Sequence, residues 1–264
     1  MNRLLLFLLL GATLTSCQPT KVLQPGELLY TGSELEYKGE VPDIQEDQLK
    51  AEILQDPNTK FLGMPLRLGI YSQYADKEKG LGKWLRKNLG EPPSILEYEE
   101  LNTSSLALQK YLIDHGYLQA EVGFDTLVEE QRATVIYHIK AGAPYQLQAI
   151  DWPADTNAIG TFVQRQRPKS RLIPDQPYRT EDLKAERNRL AGEGREQGFY
   201  GLNADNFYYF LDTTSGDHRV KAFLRVADDP VGRPYTEHYI GRTTVYPLYF
   251  LDEEQGPGAM DTLQ

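Results

Sequence analysis

Leu106-Ala107-Leu108-Gln109-Lys110-Tyr111-Leu112-Ile113-Asp114-His115-Gly116-Tyr117 has a counterpart later in the chain, in Leu183 to Leu190 running on to Glu196-Gln197-Gly198-Phe199. Each stretch reads as a helix stopped by glycine, with an aromatic residue directly behind it. Leu108, Tyr111, Leu112 and His115 mark one helical face, and Leu183 and Leu190 mark another at i, i+7 spacing. The glycines stand 82 residues apart. A period of that size repeats a small domain, not a solenoid turn.

A two-strand signal follows each glycine. After Gly116, Gln119–Thr126 and Ala133–Lys140 flank the polar Glu129-Glu130-Gln131-Arg132; after Gly198, Asn206–Leu211 and Arg219–Val226 flank Asp212–Asp217. Val135, Tyr137 and Ile139 alternate with Ile136, His138 and Lys140, and Val220, Ala222, Leu224 and Val226 alternate with Lys221, Phe223 and Arg225. Such alternation suits a sheet with one face under helices.

A further strand and helix precede each glycine-stopped helix. Leu28–Tyr37 opens the first unit, and Asp43 with Glu46 reads as a capping box ahead of Ile44, Leu49, Ile53 and Leu54. Tyr145–Trp152 opens the second and Ala158–Arg165 is its first helix. Thr180 then caps the next helix, with Glu181 and Asp182 in its first turn. The predicted fold class is therefore α+β: strand, helix, helix, strand, strand in tandem, each unit a three-stranded sheet on two helices. The expected modules are 28–142 and 143–230, with a boundary near Gly142-Ala143-Pro144. A third module starts at 231–264, with its opening strand at His238–Tyr246. Residues 61–93 form an insertion in the first module, marked by Leu62-Gly63-Met64-Pro65, Tyr71, Tyr74, Trp84 and several lysines. Its aromatics are expected to pack on the module, with a partner site as the alternative.

The N-terminus fixes the compartment. Arg3 precedes an apolar run from Leu4 to Ala12, too short for the ~20 residues of a membrane span, so residues 1–16 read as a signal peptide. Leu14-Thr15-Ser16-Cys17 closes it and resembles the bacterial lipobox, whose cysteine is acylated, as with palmitate, and becomes the mature N-terminus. Cys17 is the sole cysteine, which leaves no thiol for a disulfide, metal site or covalent catalyst. Gln18-Pro19-Thr20-Lys21 carries neither an acidic export run nor a retention aspartate. By that analogy the chain is anchored at the outer membrane and faces the periplasm, with 17–27 as a linker. Loss of the signal, with its one cation Arg3, takes the net charge from −10 to −11. Nucleic acid is a poor partner for such a chain, since its phosphates need Lys/Arg clusters. Anionic head groups would repel it, which leaves anchoring to the lipid.

Modules of this order, with a Gly-Tyr or Gly-Phe step after the second helix, resemble POTRA domains. These are the polypeptide-transport-associated modules ahead of the barrel in outer-membrane assembly proteins of the BamA/TamA type. Pro144-Tyr145, Pro177-Tyr178-Arg179-Thr180-Glu181-Asp182-Leu183 and Arg187-Asn188-Arg189-Leu190 share that resemblance. The lipobox, Lys21-Val22-Leu23 and Leu62-Gly63-Met64-Pro65 resemble the family's lipoprotein branch, the translocation and assembly module lipoproteins (TamL). The resemblance implies a periplasmic scaffold without a cofactor. Its partners would be unfolded or partly folded outer-membrane proteins and a TamB-like inner-membrane protein. Family members continue into a barrel; this stretch carries no repeated ~10-residue alternating segments of that kind. It reads as the front of a longer protein or as a standalone periplasmic part.

In such modules the first strand of the C-terminal hairpin lies at the sheet edge. That assigns the edges to Gln119–Thr126 and Asn206–Leu211. Asn206, Phe207, Tyr208, Tyr209, Phe210 and Leu211 are the candidate partner-binding residues, since the run carries no charge and has aromatics on both faces. Enzymatic motifs are missing. His115, His138, His218 and His238 lack metal-ligand spacing, and no GxSxG, P-loop or GxGxxG occurs. Asn102-Thr103-Ser104 reads as a helix start. Phe207–Phe210 reads as strand core, with a sugar platform as its rival. A glycosidase's carboxylates meet only in the fold, so the alternative function is an envelope lipoprotein that binds or hydrolyses glycans.

Overall fold

A computed structural model describes residues 19–227 and 235–245. Cys17 and Tyr246 lie outside the described residues. The chain forms two compact units. One takes in the described residues up to Gln146 together with Pro177–Thr180; the other takes in Leu147–Gln176 and those from Glu181 onward.

In the first unit β1 (Leu29–Tyr37) is followed by α1 (Glu46–Lys50), α2 (Leu66–Gln73), α3 (Gly80–Asn88) and α4 (Tyr98–Asp114), then β2 (Glu121–Glu129) and β3 (Arg132–Lys140). The sheet order is β1-β3-β2, with β1 parallel and β2 antiparallel to the central β3. Leu49 from α1, Leu101, Leu108 and Leu112 from α4, and Val135, Tyr137 and Ile139 from β3 are fully buried together. Burying each such side chain stabilises the fold by about 1.5–3 kcal/mol. Residues 61–93 carry α2 and α3, which lie between α1 and α4 in chain order.

The second unit has β4 (Gln146–Asp151), α5 (Ala158–Gln166), α6 (Thr180–Glu196), β5 (Phe207–Asp212) and β6 (Arg219–Val226), with sheet order β4-β6-β5. Phe162, Val163, Leu190, Phe199, Phe207 and Leu224 form its core. Asn157 caps α5, its side chain accepting from the Gly160 N–H at 2.8 Å. The fold class is α+β, with two three-stranded sheets and several helices.

Both helix-stopping glycines behave as read. Gly116 has φ +99° and Gly198 +94°. The Gly116 N–H reaches the Ile113 carbonyl and the Tyr117 N–H that of Leu112; Gly198 and Phe199 repeat the pattern on Arg195 and Gly194. These paired bonds end a helix in the Schellman manner.

Other expectations are corrected. Asp43 does not cap α1, because its N–H is taken by the Tyr117 hydroxyl at 2.7 Å; the helix starts after Gln45 and ends before Ile53 and Leu54. Asn102-Thr103-Ser104 lies inside α4 rather than at its start. There Thr103 and Ser104 donate back to the carbonyls of Glu99 and Glu100. The strand predicted at Gln119–Thr126 is displaced to Glu121–Glu129, because a turn at Glu130-Gln131 lets the ladder run to Glu129↔Arg132. Residues 238–244 form no strand: the His238 N–H bonds the Gly198 carbonyl at 2.8 Å instead of entering a ladder.

Candidate functional site

A sheet can bind a polypeptide only where its outer strands keep unpaired backbone groups. Of the four outer strands, two are partly occupied by the chain itself. Tyr30 donates to the Ser94 carbonyl and Leu96 to that of Leu28, so Ser94–Leu96 closes the start of β1. Leu147 donates to Gln176 and accepts from Asp175, which closes the start of β4. β2 and β5 are the outer strands opposite these.

The phase of β5 follows from one bond. The Ala227 N–H donates to the Asn206 carbonyl at 2.7 Å, in register with Phe207↔Val226. Antiparallel ladders alternate bonded and non-bonded pairs. Tyr208, Phe210 and Asp212 therefore turn their N–H and C=O toward β6, while Phe207, Tyr209 and Leu211 turn theirs outward. The Phe207 N–H is used by the Ala204 carbonyl. The outward donors are thus Tyr209 and Leu211, and the outward acceptors are the carbonyls of Phe207, Tyr209 and Leu211.

Side chains divide by face. Phe207 is buried and Tyr209 packs against the same core; Tyr208 and Phe210 stand on the opposite face, 38% and 60% exposed. Their rings meet edge to face, 5.3 Å apart at 85°. Phe223 lies across from Phe210, with the Lys221 ammonium 4.7 Å and the Arg225 guanidinium 5.5 Å from its centroid. Phe223 thus extends the aromatic strip onto β6. Sequence alternation had placed it opposite the core residues, but only the register joins it to Phe210. Asn206 leaves the predicted strand: it ends a 3-10 turn (Ala204–Asn206), where its side-chain oxygen accepts from the Asn203 N–H at 2.8 Å.

Beneath β5 sits a buried polar group. Glu186 is 2% exposed and accepts from Arg189 at 2.6 and 3.0 Å. The Glu186 hydrogen bond raises the Arg189 pKa, and burial raises that of the Tyr209 hydroxyl. Among the described residues, that hydroxyl and Arg189 Nη1 are buried without a hydrogen-bond partner.

β2 offers a different edge. Leu127 and Val128 are exposed, but Glu121, Asp125 and Glu129 recur along it, and such charges blunt an edge. His138 of β3 is 2.9 Å from Asp125 and 2.8 Å from Glu36. A groove of about 570 Å³ near the end of this sheet is lined by Leu29, Met64, Leu66 and Leu127, and Glu129 is its single carboxylate. Among the described residues no group of His, Cys, Asp and Glu is placed to hold a metal ion.

No protein family matches the chain by sequence, and no curated protein does. Among solved structures, the chain is similar to BamA of Haemophilus ducreyi lacking POTRA domains 1–3, with a TM-score of 0.37 and 15% identity over 53% of this chain and 25% of that one. It is also similar to POTRA domains 3–5 of Haemophilus influenzae BamA, with a TM-score of 0.35 and 14% identity over 78% of this chain and 100% of that one. The N-terminal domain of Omp85 from Thermosynechococcus elongatus gives 0.28 and 11%, over 76% and 66%. The chain spans about a quarter of the length of the first of these.

Proposed function

We propose that the chain is a non-enzymatic periplasmic scaffold of POTRA type that captures extended polypeptides at the β5 edge during outer-membrane protein assembly. Two modules with the hairpin's last strand in the sheet centre support the POTRA reading. The observation that carries the binding reading is β5 itself, an outer strand uncharged from Phe207 to Leu211 and flanked by exposed aromatics. An incoming strand would donate to the carbonyls of Phe207, Tyr209 and Leu211 and accept from the N–H groups of Tyr209 and Leu211. Backbone bonding of this kind is nearly blind to sequence. Selectivity comes from Tyr208 and Phe210, which favour a strand with an apolar residue at alternate positions, the pattern of barrel strands.

Acylation of Cys17 would hold the scaffold at the outer membrane, in the manner of TamL, within reach of a TamB-like inner-membrane partner. Intact mass of the mature chain tests it: the N-terminus falls at Cys17 with acyl chains attached, and an unmodified cysteine overturns the anchor. The binding edge is tested with a benzoylphenylalanine crosslinker at Phe210 in cells. Adducts with outer-membrane barrel precursors are expected. If position 210 captures none while the exposed helical position Leu106 does, the edge is merely structural.

A further inference from the structure

Charge in this acidic chain is segregated. The stretch from Lys60 to Gly90 holds seven of the 28 cations and only two of the 38 acids, Asp76 and Glu78. Most of these cations cluster on α3 and the turn before it, at Lys77, Lys79, Lys83, Arg86 and Lys87. The expectation that the insertion's aromatics pack on the module fails for Trp84, while Tyr71 and Tyr74 are half-buried. No residue of α3 is buried, and Leu81 and Trp84 are 72% and 53% exposed. They sit at i and i+3 and so share one face. The opposite face meets α2, where Arg86 donates to the Ala75 carbonyl and a Cβ at Gly82 would lie 3.2 Å from Tyr74.

The position of this helix narrows its partner. The 3-10 turn Pro19–Val22 packs against α2, and Lys21 and Val22 line a depression shared with Tyr71 and Ala75. Only Gln18 separates Cys17 from Pro19, two steps of chain that span at most about 7 Å. We infer that α3 is an interfacial helix that lies on an anionic phospholipid surface, with Leu81 and Trp84 in the head-group layer and Lys83 and Lys87 against phosphates. Its location rests on the anchored reading, since a lipid on Cys17 brings it to the bilayer; its own affinity does not. A tryptophan and leucine face flanked by lysines suits a membrane interface. Protein–protein interface cores are depleted of lysine. The net charge of the whole chain, which predicts repulsion from anionic lipid, hides this local cationic surface.

The test uses the full mature chain as Cys17→Ser, so that no acyl chain contributes, in a Trp152→Phe background that leaves Trp84 as the only indole. Flotation with phosphatidylethanolamine–phosphatidylglycerol vesicles is expected to carry the protein, with a blue shift of Trp84 emission and weaker binding as salt rises. Phosphatidylcholine vesicles are expected to carry much less. Lys83→Glu with Lys87→Glu should cut binding at least about 25-fold, roughly five-fold per charge removed. Leu81→Ser with Trp84→Ser should cut it at least about ten-fold. Quenching of Trp84 by brominated lipid in the chain with α3 unaltered guards against a folding defect in these variants. Unacylated Cys17 in cells together with vesicle binding overturns the anchor and leaves this inference standing. The absence of binding to phosphatidylglycerol vesicles at low salt, binding indifferent to these substitutions, or a crosslinker at position 84 that captures protein but no lipid overturns it.

Discussion

The Ala227 N–H bonds the Asn206 carbonyl at 2.7 Å, and that contact sets which backbone groups of β5 face β6 and which face outward. Proline removes one N–H, so its effect depends on the parity of its position. Tyr208→Pro deletes a ladder donor and is expected to cost about 3 kcal/mol or more, melting the second unit. Leu211→Pro removes an outward donor and is expected to cost less than about 1.5 kcal/mol while weakening polypeptide capture. Urea titration of the two variants, with capture assayed on each, checks the contrast.

Gly116 and Gly198 are predicted to be the least replaceable of the helix-ending residues. A Cβ at Gly116 would lie 2.7 Å from the Tyr178 carbonyl oxygen, and one at Gly198 2.5 Å from that of His238. Both oxygens belong to the backbone, and both glycines have positive φ. Valine at either position is expected to cost at least about 2 kcal/mol. Thermal denaturation with a tryptophan probe in each unit, Trp84 and Trp152, should show each loss confined to its own unit.

Glu186 and Arg189 make a pair whose halves are not separately dispensable. Glu186→Leu leaves Arg189, whose side chain is 19% exposed, without its carboxylate and is expected to cost about 3 kcal/mol. Glu186→Leu with Arg189→Met should recover most of that loss, because a matched apolar pair needs no desolvated charge. Equal losses in the single and double variants would show that the pair is not what matters there.

Glu91 ties the insertion to the first module. Burial acts to raise its pKa, but the Thr59 hydroxyl and N–H and the Asn58 amide hydrogen-bond its carboxylate and hold it below the ordinary range. A folded pKa below the unfolded one adds stability that is present above the unfolded value and fades as pH falls through the folded one. Unfolding free energy should therefore drop on acidification below about pH 4.5. Glu91→Gln should flatten that part of the profile, and an unchanged slope would exclude Glu91 as its source.

Legibility in the sequence followed periodicity. The alternation of Val135, Tyr137 and Ile139 and the glycine stops at Gly116 and Gly198 are local signals, and the structure keeps them. Asp43 misled because its N–H is claimed by Tyr117, a residue 74 positions away, and no local rule carries that information. The edge character of β5 came from resemblance; which of its amides face outward needed a register and one long-range bond. Trp84 was misread because an exposed aromatic and a buried one look alike in a sequence. The depletion of acids around it was the available clue.

Amide hydrogen exchange at β5 tests strand addition most directly. In the free protein, Tyr208 and Phe210 amides should be protected and those of Tyr209 and Leu211 should exchange fast. Adding an unfolded outer-membrane barrel protein should slow Tyr209 and Leu211 at least about ten-fold and leave Tyr208 and Phe210 nearly unchanged. Binding of that polypeptide with Tyr209 and Leu211 still exchanging fast would contradict capture at this edge.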